Sequence, residues 1–112
     1  MAPIHISSGH ARLAATVAGT GSAIVFLHAG VADRRMWQAQ LDVFAATHKV
    51  VAYDRRGFGD TTSTPEPFAH VEDLEAVLQA TEAMPATLVG CSMGGALAID
   101  YALAHSSAAC RR

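Results

Sequence analysis

A chain of 112 residues, 51% hydrophobic and 16% charged, is sized for one domain with one core and is too apolar for a disordered segment. Its net charge of -2, with basic residues in scattered pairs (Arg34-Arg35, Arg55-Arg56, Arg111-Arg112), lacks the positive face a nucleic-acid partner would need, and its two cysteines, Cys91 and Cys110, are too few for a disulfide framework and stand in no metal-ligand spacing. The first fifteen residues lack the basic start and apolar run of a signal peptide, and nothing approaches the roughly 20 apolar residues of a membrane helix, so a cytoplasmic protein with no membrane partner is expected.

In chain order, His5-Ile6 and the stretch Ala11 to Ala18 predict two short strands joined by the turn-prone Ser7-Ser8-Gly9, an antiparallel hairpin. AIVFLHA, residues 23 to 29, is apolar without alternation, the pattern of a parallel strand covered on both faces. Trp37, Leu41, Phe44 and Ala45 then recur on one helical face, and KVVAY, residues 49 to 53, is a second buried strand. Residues 54 to 67, DRRGFGDTTSTPEP, are dense in Gly, Thr and Pro and predict a loop. Val71, Leu74, Val77 and Leu78 mark a helix from Phe68 to about Ala83, which Pro85 stops. ATLVG, residues 86 to 90, is a third buried strand. ALAIDYALA, residues 96 to 104, is apolar nearly all round, as a helix buried beneath other layers would be. The alternation predicts an α/β fold: a mostly parallel sheet with an antiparallel N-terminal hairpin and helices on both faces.

Where the third strand meets the last helix the chain reads LVGCSMGG, residues 88 to 95. Gly90-Cys91-Ser92-Met93-Gly94 is a G-x-S-x-G pattern, which suits a tight strand-to-helix turn that lifts a serine hydroxyl above the sheet edge. A serine there has a strained backbone, and side chains at Gly90 and Gly94 would collide with the neighbouring strand and helix. Such an elbow points the Met93 N–H toward the reacting centre as one oxyanion donor. The loop His28-Ala29-Gly30, after the first buried strand, is placed to supply a second. With Asp54 to Thr61 (DRRGFGDT) after the next strand, three motifs fall at the carboxyl ends of three strands, where parallel sheets gather their active sites.

On these motifs the chain resembles the α/β-hydrolase family, in particular serine esterases, lactonase-like members and the cofactor-free haloperoxidases related to them. The resemblance runs from about Ile4 to His105. It implies that Ser92 is the nucleophile, with Gly30 and Met93 as backbone oxyanion donors, and that Ala29 stands where a glycine is usual. Nothing in the sequence calls for a metal, nucleotide or other cofactor, and none is expected. It implies structural roles for His28, which supports the oxyanion loop, and for Asp54, Arg56 and Thr61, which hold their own loop. Trp37 is expected in the core or the pocket wall, and Cys91 is expected to be inert. Relatives with an aspartate nucleophile are set aside by Ser92.

An activated serine also needs a histidine base and an acid that orients it, later in the chain in this fold. After Ser92 the candidates are Asp100 and His105, on the same helix, about 12 Å and 20 Å along its axis at about 1.5 Å per residue, against the roughly 3 Å of a proton transfer. His5, His10, His48 and His70 are expected to lie away from the edge that carries Ser92. The chain therefore reads as the N-terminal portion of the fold, a truncated core over residues 1–105 with an atypical tail, 106–112, and a truncation or frame change near Ser106. The third parallel strand becomes an open edge in that reading, a route to self-association. The function expected of the full-length form is hydrolysis of an ester, lactone or similar small-molecule acyl substrate through an acyl-Ser92 intermediate, with this chain inactive alone. The alternatives are a non-catalytic binding or interaction fragment, or a gene remnant.

Overall fold

The computed structural model describes residues 3–105 and, as backbone, residues 110–111. Its strands are β1 (Ile4–Ser8), β2 (Ala11–Ala18), β3 (Ala23–Leu27), β4 (Lys49–Tyr53), β5 (Ala86–Gly90) and β6 (Cys110–Arg111), and its helices α1 (Gln38–Phe44), α2 (His70–Ala80) and α3 (Met93–Ala104). A 3-10 turn, Arg34–Trp37, leads into α1. The strands form one sheet in the order β1-β2-β4-β3-β5-β6. β1 and β2 pair antiparallel, β2 joins β4 antiparallel, and β3 lies parallel between β4 and β5.

Alternation along each strand sends side chains to two separate cores. Val25 and Leu27 of β3, Val51 and Tyr53 of β4 and Leu88 of β5 meet Leu74, Val77 and Leu78 of α2 and Leu97, Ala98 and Tyr101 of α3. Phe26, Val50 and Ala52 face the other way, onto Leu41 of α1 with Trp37, Ala45 and Val89 around them. Trp37 packs its ring 5.1 Å from that of Phe26, which makes it core. Helices thus cover both faces of the sheet, as the apolar runs require.

Several boundaries differ from those the sequence suggests. The hairpin turns at Gly9-His10, one step later, with Gly9 at φ 57. β3 stops at Leu27, so His28 and Ala29 belong to the loop. α2 is shorter at both ends, and its C-terminus is fixed by Thr81, whose hydroxyl donates to Val77 O at 2.7 Å, and by Lys49, whose ammonium donates to Thr81 O at 2.6 Å. A cation on the last carbonyls of a helix satisfies orphan acceptors and complements the dipole.

Two larger expectations need correction. α3 is not sunk beneath other layers: Met93, Ile99 and Leu103 are exposed, the last at 74%, while Leu97, Ala98 and Tyr101 carry the burial. Apolar composition all round a helix reports what it could bury, and here one side packs on the sheet. The far edge of β5 is also not wholly open, since β6 pairs parallel with it at Ala86↔Cys110 and Thr87↔Arg111. The rest of the tail, residues 106–109 and 112, and the Cys110 side chain lie outside the described residues.

Candidate active site

The turn from β5 into α3 is sharp because Ser92 takes a positive φ, 56°, with ψ -115°, immediately before the first helical residue, Met93. A β-carbon in that region is strained, and such strain is held only where surrounding packing over-determines it. The packing here is backbone against backbone. A Cβ on Gly94 would overlap the Leu27 carbonyl at the end of β3, and one on Gly90 would lie 2.5 Å from Gly95 N. Cys91 N donates to Leu27 O at 3.2 Å and Gly94 N to Cys91 O at 2.9 Å, which closes the turn. Ser92 is exposed at the carboxyl end of the sheet, and its hydroxyl has no hydrogen-bond partner among the described residues.

Gly30 stands beside this turn. A Cβ on Gly30 would meet the Met93 sulfur at 2.5 Å, so the loop after β3 and the start of α3 touch although 63 positions separate them in sequence. Neither the Gly30 nor the Met93 N–H has a partner among the described residues. Met93 is the first residue of α3, where the N–H groups of a helix lack internal acceptors. Two free donors therefore flank the serine's neighbourhood.

The loop holding Gly30 is anchored from below by His28, which is fully buried. Its Nε2 accepts from Arg55 N at 3.0 Å and its Nδ1 lies 2.7 Å from Ala29 O, so Nδ1 carries the proton and both ring nitrogens are engaged. Burial lowers its pKa below the ordinary 6.5 and outweighs the carbonyl contact. A neutral, fully bonded imidazole is a brace and has no lone pair to offer a serine proton.

Asp54, Arg56 and Thr61 hold the following loop. The Asp54 carboxylate accepts from Arg34 N at 2.7 Å, from the Arg34 guanidinium and from Asp60 N at 2.8 Å. The Thr61 hydroxyl donates to Asp54 O at 2.6 Å and accepts from Ala14 N at 2.9 Å. Arg56 donates to both oxygens of Asp73 on α2, at 2.9 and 3.1 Å, to Glu66 at 2.5 Å and to Ser8 O at 3.0 Å. None of the three is left free to act on a substrate.

The histidines divide by position. The β1–β2 turn that holds His10 lies three strands from β5, about 14 Å at about 4.8 Å per strand. His105 pairs with Glu75 at 3.7 Å, but at the far end of α3. His70 departs from the expectation. It lines one groove together with Arg55, Val71, Met93, Leu97 and Asp100, and so stands at the edge that carries the elbow. A crossover helix begins where the preceding strand's loop leaves it, at the carboxyl edge, and runs back down; His70 is the first residue of α2. Among the described residues no group of three or more His, Cys, Asp or Glu side chains is placed to hold a metal ion, and no helix is long and apolar enough to cross a membrane.

The strand order, the serine turn and the two loops at the same edge form one pattern, and residues 24–110 match the sequence model described as the alpha/beta hydrolase family. The chain belongs to that family. It is 30% identical over 103 residues to the AB hydrolase superfamily protein YisY of Bacillus subtilis, matching 88% of this chain and 38% of that protein. It is 32% identical over 93 residues to the non-heme chloroperoxidase CPO-A1 of Kitasatospora aureofaciens, matching 80% of this chain and 34% of that protein. Among solved structures it resembles Est816, described as an N-acyl homoserine lactone degrading enzyme, at 31% identity and a TM-score of 0.85, over 91% of this chain and 40% of the other. The chain spans 34–40% of the length of these relatives.

Proposed function

We propose that the chain carries the nucleophile half of a serine hydrolase that acts on an ester, lactone or similar acyl substrate. Ser92 attacks the acyl carbon: its oxygen forms the new bond, the bond to the alcohol oxygen breaks, and the alcohol leaves with a proton. The N–H groups of Gly30 and Met93 take the negative charge of the tetrahedral intermediate, and water then releases the acid. The observation that carries this reading is the exposed Ser92 at φ 56°, in a turn where Gly94 packs on Leu27 and Gly90 packs on Gly94, neither with room for a side chain. The likeness to esterase-type and lactone-degrading relatives supports an acyl substrate.

Among the described residues no histidine paired with a carboxylate reaches Ser92. The acid and the base therefore belong, in this proposal, to the part of the fold that this chain does not span, and Ser92 here is an unactivated hydroxyl beside a formed oxyanion site. A fluorophosphonate probe tests it. Slow labelling that Ser92→Ala abolishes is the expected result, because oxyanion donors still assist without the base. Equal labelling of the Ser92→Ala variant would remove Ser92 from the reaction, and rapid stoichiometric labelling would show a base within reach.

A further inference from the structure

The groove that His70 shares with Met93 has a second property that the hydrolase reading leaves unused. It encloses about 330 Å³, at the small end of ligand sites. Its walls are mostly apolar, from Ala69, Val71, Met93, Ala96 and Leu97, and Met93 places it directly beside the elbow.

Two polar side chains converge on it, each with one buried nitrogen that has no hydrogen-bond partner among the described residues. Arg55 lines the groove and is only 1% exposed. Its Nη2 donates to His28 O at 3.0 Å, and its guanidinium lies 5.1 Å from the Phe58 ring, but no carboxylate pairs with it among the described residues. Its Nε is buried with no acceptor. His70 also lines the groove, and its Nδ1 is buried with no partner. Behind it, α2 begins at His70 after an N-cap residue, Ala69, that offers no side-chain cap, and the Ala69 carbonyl accepts from the Glu72 and Asp73 N–H groups at 3.1 Å each. Glu72 and Asp73 lie in the same first turn, and Asp73 is occupied by Arg56 and the Ser8 hydroxyl.

An unpaired buried cation is costly, and an orphan donor adds to that cost. We propose that this groove receives a carboxylate carried by the substrate, with the Arg55 guanidinium as its counter-charge and His70 as a second donor, so that the preferred substrates are half-esters of short dicarboxylic acids. The proposal rests on the serine-hydrolase reading for the position of the ester and on the groove alone for the charge. Asp100, exposed and lining the same groove, opposes an anion and sets its tightness: it favours a carboxylate seated at Arg55 over one near the outer wall.

Binding of monomethyl glutarate, followed by NMR shifts of the 112-residue chain, tests the groove without any turnover. The anionic monoester should bind about ten-fold more tightly than the neutral dimethyl ester, the worth of one charge-assisted hydrogen bond. Arg55→Met and His70→Gln should each weaken the monoester and leave the diester unchanged, and Asp100→Asn should strengthen it. Arg55 also braces the His28 loop, so if Arg55→Met fails to fold, His70→Gln, Asp100→Asn and the ester pair decide the matter. Equal affinity for the two esters overturns the proposal, as does phosphate binding as tightly as the monoester, because the apolar walls would then contribute nothing. Ser92→Ala should bind the monoester normally. Loss of probe labelling with binding intact thus strikes the nucleophile reading, and loss of charge preference with labelling intact strikes the groove.

Discussion

Replacing Ser92 by glycine should make the protein more stable, whereas replacing it by alanine should not. The reason lies in the backbone at φ 56°, ψ -115°, a region in which a β-carbon costs on the order of 1–3 kcal/mol. Alanine keeps that carbon and keeps the strain. Glycine relieves about 2 kcal/mol of it and gives back about 0.5–1 kcal/mol because its unfolded chain has more freedom to lose. The net difference between the two variants is then about 1 kcal/mol in favour of glycine, a rise of roughly 4–8 °C in melting temperature for a domain near this size. Urea denaturation of Ser92→Gly and Ser92→Ala side by side measures it. The hydroxyl contributes nothing to the comparison, since both variants lack it. If Ser92→Gly is the less stable of the two by the usual penalty for glycine in a helix, about 1 kcal/mol, the backbone is unstrained and the elbow geometry is wrong.

Two further outcomes follow from the buried charges. Asp54→Ala should cost about 3–5 kcal/mol, because it leaves the buried Arg34 guanidinium with only the exposed Asp60 as an ionic partner; a loss under about 1 kcal/mol in urea titration would show that the Arg34–Asp54 pair is not needed. Acidification should destabilise the fold, since burial holds His28 and His70 below their ordinary 6.5. Stability is then full above that pH and falls beneath it, as the unfolded chain binds protons the folded one refuses, by up to about 1.4 kcal/mol per pH unit for each histidine. His70→Gln should remove one of the two contributions from the slope, and an unchanged slope would show that His70 titrates normally.

The central strands could be read almost to the residue, because Lys49–Tyr53 and Ala86–Gly90 are short apolar runs bounded by polar or turn-forming residues. The elbow was legible for a different reason: a steric requirement for glycine on both sides of one serine leaves a local mark in sequence. Helix surroundings left no such mark. The residues of α3 that bury and those that stay exposed are alike in hydropathy, so composition could not show that Leu103 faces solvent while Leu97 packs on the sheet. His70 was misplaced because its position depends on which edge the crossover loop leaves from, a tertiary fact. The one available signal was the 16-residue connection between β4 and α2, residues 54–69, which keeps the chain at the carboxyl edge until α2 begins. Arg55 carries no signal in sequence, since a charged residue in a loop reads as exposed; only its burial, at 1% exposure, sets it apart.

The Arg56 guanidinium grips the end of β1, its own loop and α2 at once. A segment rich in glycine, threonine and proline would ordinarily be the first part of a domain to open. Here a protease or an exchanging proton must loosen the first strand and a helix to reach it, so the rim of the sheet nearest the serine should be among the last irregular stretches to yield.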